Sequence, residues 1–269
     1  MKRQFRVLKI IVVVLLVLPL FLAWLPYNWY SSIAPASLLQ GNFLKLMLTS
    51  FQELSITLLT TVVFAMIISV LLGYLSVLSM GAGRFFSSIM NAIESVPSIL
   101  IALFCYAPVS GALVSTSGTK STVLSLAVFV AAATATVLPE AVRSISIPLS
   151  DLYNRKYSIS FRSYGFTKNR ILAVLMKTTL MVDTLKRVAA GILLKTLVLD
   201  TSFGYVIQVG LGSTGTPSHT SPGALIAANR KTLIFGEDGN PWFFWLPAII
   251  LIAVSIAFLI VLKDNKEEA

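Results

Sequence analysis

The sequence predicts an all-α polytopic membrane protein with about six transmembrane helices, and three observations carry that prediction. Of 269 residues, 56% are hydrophobic and 12% are charged, whereas soluble domains carry about a quarter charged residues. Apolar runs recur near the ~20 residues that a helix needs to cross a ~30 Å hydrocarbon core. Lysine and arginine fall in alternate intervals between those runs, as they do in the cytoplasmic loops of membrane proteins.

Five runs are clean: Ile10 to Pro26, Leu54 to Met80, Phe86 to Leu113 (containing Glu94), Thr122 to Leu138, and Trp242 to Leu262. A sixth, Thr178 to Val209, is interrupted by Asp183, Lys186, Arg187, Lys195 and Asp200, so apolarity alone does not define it. Lys2, Arg3, Arg6 and Lys9 precede the first run, and Arg84 separates the second from the third. Arg143, Arg155, Lys156, Arg162, Lys168, Arg170 and Lys177 follow the fourth, and Lys263 and Lys266 follow the last. The complementary intervals hold only Lys45, Lys120, Arg230 and Lys231. Six spans with both termini cytoplasmic satisfy that asymmetry, and an odd number breaks it. Trp24 and Trp29 end the first run while Trp242 and Trp245 begin the last, which places an aromatic belt at one interface, the outer one. A cleaved signal peptide is the alternative for the N-terminus, but an aromatic belt follows the run in place of a small-residue cleavage site.

A net charge of +10 would point to nucleic acid in a polar protein. Here the basic residues sit in loops between apolar runs, and no nucleic-acid partner is expected. The lone Cys105 cannot form an intramolecular disulfide and reads as membrane packing. The lone His219 lies in a Gly/Ser/Thr/Pro-rich stretch, so no zinc site or hydrolytic triad can be assembled from His and Cys. No Gly-x-x-x-x-Gly-Lys-Ser/Thr loop occurs; Gly118, Thr119, Lys120 and Ser121 lack the glycine directly before lysine. ATP is not expected to bind this chain.

Between the fourth and fifth spans the chain turns polar and basic, RSISIPLSDLYNRKYSISFRSYGFTKNRILAVLMK over residues 143–177. Pro148 and Asp151 predict the start of one short helix, and Gly165 predicts the turn before a second. Tyr157, Phe161 and Tyr164 form a candidate apolar anchor ringed by Arg155, Lys156 and Arg162, the aromatic-centre arrangement of interface hot spots. Headgroup anchoring is the competing role for these aromatics. Glu94, Lys195 and Asp200 lie within predicted spans, where ionisable groups are costly and either face a cavity or a partner or snorkel to the membrane edge. Lys195 and Asp200 are five apart, an imperfect same-helix pair, which leaves Glu94 and Lys195 from different helices as a possible polar path. Asp183, Lys186 and Arg187, nearer the cytoplasmic end, read as snorkelling or salt-bridged. The outer segment 210–240 is rich in Gly, Pro, Ser and Thr, and Ala224 to Asn229 predicts a short helix. His219, Arg230, Lys231, Glu237 and Asp238 are its candidate docking contacts.

The 143–177 loop resembles the coupling segment of ABC-importer permeases, in which Glu-Ala-Ala, three residues and Gly are followed about nine residues later by Ile-x-Leu-Pro. Gly165 takes the glycine position, Ile159, Ser160 and Phe161 replace Glu-Ala-Ala, and Met176, Lys177 and Thr178 replace Ile, Leu and Pro. Arg162 and Tyr157 stand where the peptide subgroup often carries arginine and tyrosine. Most of residues 50–262 is similar to the second permease of dipeptide, oligopeptide and nickel importers. LSITLLTTVVFAMIISVLLGYLSVLSM, then Ser95 to Leu100 with Pro97, is similar to its second and third spans, and Pro139 to Arg143 to the end of its fourth. SFGYVIQVGLGSTGTPSHTSPGALIAANRKTL and PWFFWLPAIILIAVSIAFL resemble its last outer loop and span, with Pro222 where a tryptophan is usual. The chain is a divergent relative on this view: Asn91 replaces a usual aspartate, Lys195 a usual acid, and the outer signature expected over Ser37 to Gln52 is missing.

The resemblance implies a type I importer permease fold in the bacterial inner membrane. It divides the chain into an N-terminal helix and outer segment (1–50), a permease core (51–262) with a cytoplasmic coupling helix, and a tail (263–269). It implies a non-catalytic subunit that moves peptides or a similar small polar solute or metal complex by alternating access. Its partners would be a second permease subunit, two ATP-binding subunits holding ATP and Mg, and an extracytoplasmic solute-binding protein. Tyr157, Ser160, Phe161, Arg162, Tyr164 and Gly165 would couple to the ATPase, and Glu94, Pro97, Lys195 and Asp200 would line the path. A membrane anchor or assembly protein that retains the fold, and an export system, are the alternatives. An intramembrane enzyme lacks its signature, since neither His-Glu-x-x-His nor paired span aspartates occur.

Overall fold

The computed structural model describes residues 2–39, 42–115, 119–210, 221–234 and 240–267, with the side chains of 2–6, Met80, Ala82, 107–122, Tyr157, 209–210, 233–234 and 264–267 outside the description. All regular structure among the described residues is helical. In order the helices are α1 (Lys2–Leu22), α2 (Tyr27–Ile33), α3 (Ala36–Leu39), α4 (Phe43–Leu78), α5 (Met80–Glu94), α6 (Ser98–Ser115) and α7 (Thr119–Asn154). There follow α8 (Lys156–Ser163), α9 (Lys168–Leu175), α10 (Thr179–Gly210), α11 (Pro222–Ala228), α12 (Lys231–Ile234) and α13 (Trp242–Glu267).

Among the described residues four helices, α4, α7, α10 and α13, are long and apolar enough to cross a membrane. The count reaches six if each of two bent pairs is one span: α1 with α2, bent by 109°, and α5 with α6, bent by 89°. The second bend has a local cause. Pro97 disfavours helical geometry at Val96 and has no N–H to offer a preceding turn, so α5 closes with Ser95 N–H donating to the Asn91 carbonyl and α6 restarts on the Pro97 carbonyl. The predicted run from Phe86 to Leu113 is therefore two helices at nearly a right angle. The charged run beginning at Thr178, by contrast, is one unbroken helix of 32 residues.

The packing of α4 shows why these helices suit a membrane. Its buried face carries Thr57, Thr61, Ala65, Ser69 and Gly73, while Leu59, Val63, Phe64, Ile67 and Leu71 are exposed. Small residues let helix backbones approach closely, and large apolar residues outside suit lipid. With 36 residues, α4 is about 54 Å long and exceeds the hydrocarbon core. α7 packs along it with Val137, Ala141, Ile145, Leu149 and Leu152, spaced by three or four, and runs through Pro139 and Pro148 without a break. The helix start predicted at Pro148 and Asp151 is thus absent, because tertiary packing on that apolar face carries α7 on to Asn154. Membrane helices tolerate internal proline where neighbouring groups satisfy the freed carbonyls.

The two ends of α4 differ in chemistry. At its start, Phe43 stacks on Phe243 of α13 at 4.2 Å, Gln52 donates to the Ala23 carbonyl and the Trp24 indole donates to Ser55 at 2.9 Å, so the tryptophans that end the first run and begin the last gather there. At its other end, Lys168 of α9 donates to the Leu78 carbonyl at 3.0 Å, and the basic segment covers it. The chain is an all-helical protein of multi-pass membrane character.

Candidate functional site

The segment between α7 and α10 folds as two short helices with opposite roles. α9 is anchored: Ile171, Leu172 and Leu175 are buried against α4 and α7. Its start is tied down as well, since the Tyr74 hydroxyl bonds the Asn169 carbonyl at 3.0 Å and also its side-chain oxygen. α8 protrudes. Among its described side chains only Ser158 is buried, its hydroxyl donating to the Leu152 carbonyl at 2.8 Å and so closing the end of α7.

Gly165 makes the turn that ends α8, with φ of +77°. Its N–H donates to the Arg162 carbonyl and that of Phe166 to the Phe161 carbonyl, the bond pair of a Schellman cap. The apolar contact that accompanies such caps is present too, as the Phe161 and Phe166 rings meet edge to face at 5.8 Å. Arg162 folds back over α7, its guanidinium 3.9 Å from the Tyr153 ring centroid and donating to the Tyr153 carbonyl. Arg170 lies over the Phe166 ring. Ile159, Phe161, Phe166 and Tyr164, the last 81% exposed, face outward, with Ser160, Ser163 and the basic Arg155 and Lys156 exposed around them. The side chain of Tyr157 lies outside the described residues.

The four candidate path residues do not converge. Pro97 is at the α5–α6 break, and Glu94, at the end of α5, pairs with Arg143 of α7 at 2.9 Å. The same guanidinium donates to Asn91. Lys195 pairs with Glu140 of α7. Glu94 and Lys195 thus each bridge to α7 from a different helix. Asp200 is fully buried on α10, next to the cluster of Tyr106, Phe129 and Phe203. Asp183 and Lys186 form an exposed pair one turn apart. Glu140 and Lys195 line a cavity of about 760 Å³ between α7, α10 and α13.

Glu140 and Arg143 are site residues that the pattern of runs passes over, because the apolar run ends at Leu138. Their signal was charge at i and i+3 just beyond that run, which puts both on one face of a continuing helix. Of the outer-loop candidates, His219, Glu237 and Asp238 lie outside the described residues, while Arg230 and Lys231 are exposed beside α11. Among the described residues no three His, Cys, Asp or Glu side chains gather as a metal site.

These features define a helical membrane protein with a short, largely exposed helix, carrying Ile159 and Phe161 outward, at one end of α7. No protein-family model and no curated protein matches the chain.

Proposed function

We propose that this chain is the membrane-spanning permease subunit of an ATP-driven solute transporter, and that α8 is the contact through which an ATP-hydrolysing partner moves it. The observation that carries this reading is the pairing of an exposed aromatic and aliphatic face on α8 with a rigid mount. Ser158 and Arg162 fix α8 to α7, the Gly165 cap fixes its turn into α9, and α9 is buried against α4. A force applied to α8 therefore reaches two long helices as a body movement, which is how packed elements transmit a switch. The resemblance of residues 143–177 to coupling segments points the same way and favours import. On this reading ATP and Mg belong to two partner ATPases, and a second permease and a solute-binding protein complete the assembly. The membrane is the bacterial inner membrane, with both termini cytoplasmic.

Purification of the intact complex from its host tests the proposal. An ATPase should accompany the chain, and deleting residues 157–165 should reduce hydrolysis to the level of the isolated ATPase. Hydrolysis unchanged by the deletion would reduce the chain to a membrane anchor, the reading that the altered Ile159, Ser160 and Phe161 triplet permits.

Orientation has its own check in a Cys105→Ser background, which removes the only thiol. A membrane-impermeant thiol reagent should label Asn240→Cys in intact cells and Ser160→Cys only after permeabilisation. The reverse pattern would invert the topology.

A further inference from the structure

The cavity between α7, α10 and α13 holds more positive charge than its own carboxylate can balance. Arg143, Arg187, Lys195 and Lys263 line it against Glu140 alone. Two of these cations are matched, Lys195 by Glu140 and Arg143 by Glu94 from α5. Among the described residues no carboxylate pairs with Arg187 or Lys263, and the acid one turn before Arg187, Asp183, is engaged by Lys186 at 3.1 Å.

Arg187 is the most informative of the four. Its Nε is buried and has no hydrogen-bond partner. A guanidinium presents its N–H donors in a planar fork that fits phosphate or carboxylate, and a buried donor without an acceptor is costly. The rest of the wall is mostly aliphatic, with Ile147, Ile192 and Leu259 facing the space. Low-polarity walls strengthen the attraction of an anion to the cations among them.

We propose that this cavity binds an oxyanion, a phosphate or carboxylate group, gripped by Arg187 and Lys263 with its apolar portion against the aliphatic wall. An acidic lipid headgroup and a soluble anion share that chemistry. The inference rests on the charge of the cavity and not on transport, so binding without any ATPase coupling would leave it standing.

The test uses the full chain in phosphatidylcholine nanodiscs at low salt, titrated with pyrophosphate by calorimetry. In parallel, nanodiscs containing phosphatidylglycerol are examined by native mass spectrometry for retained lipid. At least one probe should bind, and Arg187→Gln should weaken that probe at least tenfold, with Lys263→Gln weakening it several-fold and Arg187→Lys less than Arg187→Gln. Lys45→Gln, on the opposite end of α4, should have no effect. Pyrophosphate binding supports a soluble anion, and retention of phosphatidylglycerol alone supports a headgroup. Should Arg187→Gln fail to fold, Lys263→Gln at the exposed end of α13 decides the matter. Failure of both probes to bind the native chain, or equal loss in Lys45→Gln, would overturn the proposal.

Discussion

Gly223→Ala should leave little folded protein, with a loss of about 3 kcal/mol or more in stability and a large fall in Tm or yield in detergent. The reason is the closeness of α11 to α10. A Cβ on Gly223 would lie 1.9 Å from the Thr201 carbonyl oxygen and 2.7 Å from its carbon. Those are backbone atoms of a long helix, so no side-chain rotation relieves the clash. Gly204 faces the same contact from α10, where a Cβ would meet the Ser221 hydroxyl at 1.6 Å and its Cβ at 2.9 Å. Here the obstacle is a side chain, although one that caps α11 by accepting from Ala224 N–H. Gly204→Ala should therefore also destabilise, and Ser221→Gly in the same chain should recover part of the loss because glycine keeps some N-cap preference. By contrast, Asp183→Asn breaks an exposed ion pair and should change stability by less than about 1 kcal/mol. Backbone fit outweighs surface charge in this bundle. Equal Tm values for Gly223→Ala and the native chain would refute the close approach.

Gly165→Val should separate coupling from folding. A non-glycine residue in the left-handed region costs about 1–2 kcal/mol, and a β-branched one is the worst choice. Gly165 is exposed and a Cβ there meets nothing within 4 Å, so the penalty comes from the backbone alone. It falls on the cap between α8 and α9, while the buried clusters of α4, α7 and α10 are untouched. Global Tm should thus move little, whereas amide exchange in α8 should quicken about 5–30-fold, the factor that corresponds to that penalty. ATPase stimulation by the chain should fall with it. Gly165→Asn should sit near the native protein in both readouts, since asparagine tolerates this conformation. Valine and asparagine variants with the same exchange rates would mean that the cap does not hold α8.

The helices were legible wherever apolarity alone shapes them. The run at Trp242 to Leu262 lies within α13, that at Leu54 to Met80 overruns the end of α4 by two residues, and Gly165 marks its turn correctly because only the backbone matters there. Local signals misled where neighbours override them. Pro148 reads as a helix start, but the Ile145 to Leu152 face buries itself against α4 and keeps α7 helical. The run from Phe86 to Leu113 reads as one span because a hydropathy window does not register Pro97 turning the chain. The partners of Glu94 and Lys195 could not be read from spacing, since each bridge joins residues about fifty apart on different helices. The close pairing of Gly204 with Ser221 and of Gly223 with Thr201 was likewise invisible until α11 was seen lying on α10.

The most direct test of the central claim is site-specific photo-cross-linking in cells from residue 160, replaced by a photoreactive phenylalanine. Ser160 is exposed on α8. An adduct is expected with a protein carrying a Gly-x-x-x-x-Gly-Lys-Ser/Thr loop, lost in Gly165→Val and unchanged in Gly165→Asn. Adducts with lipid alone would contradict it.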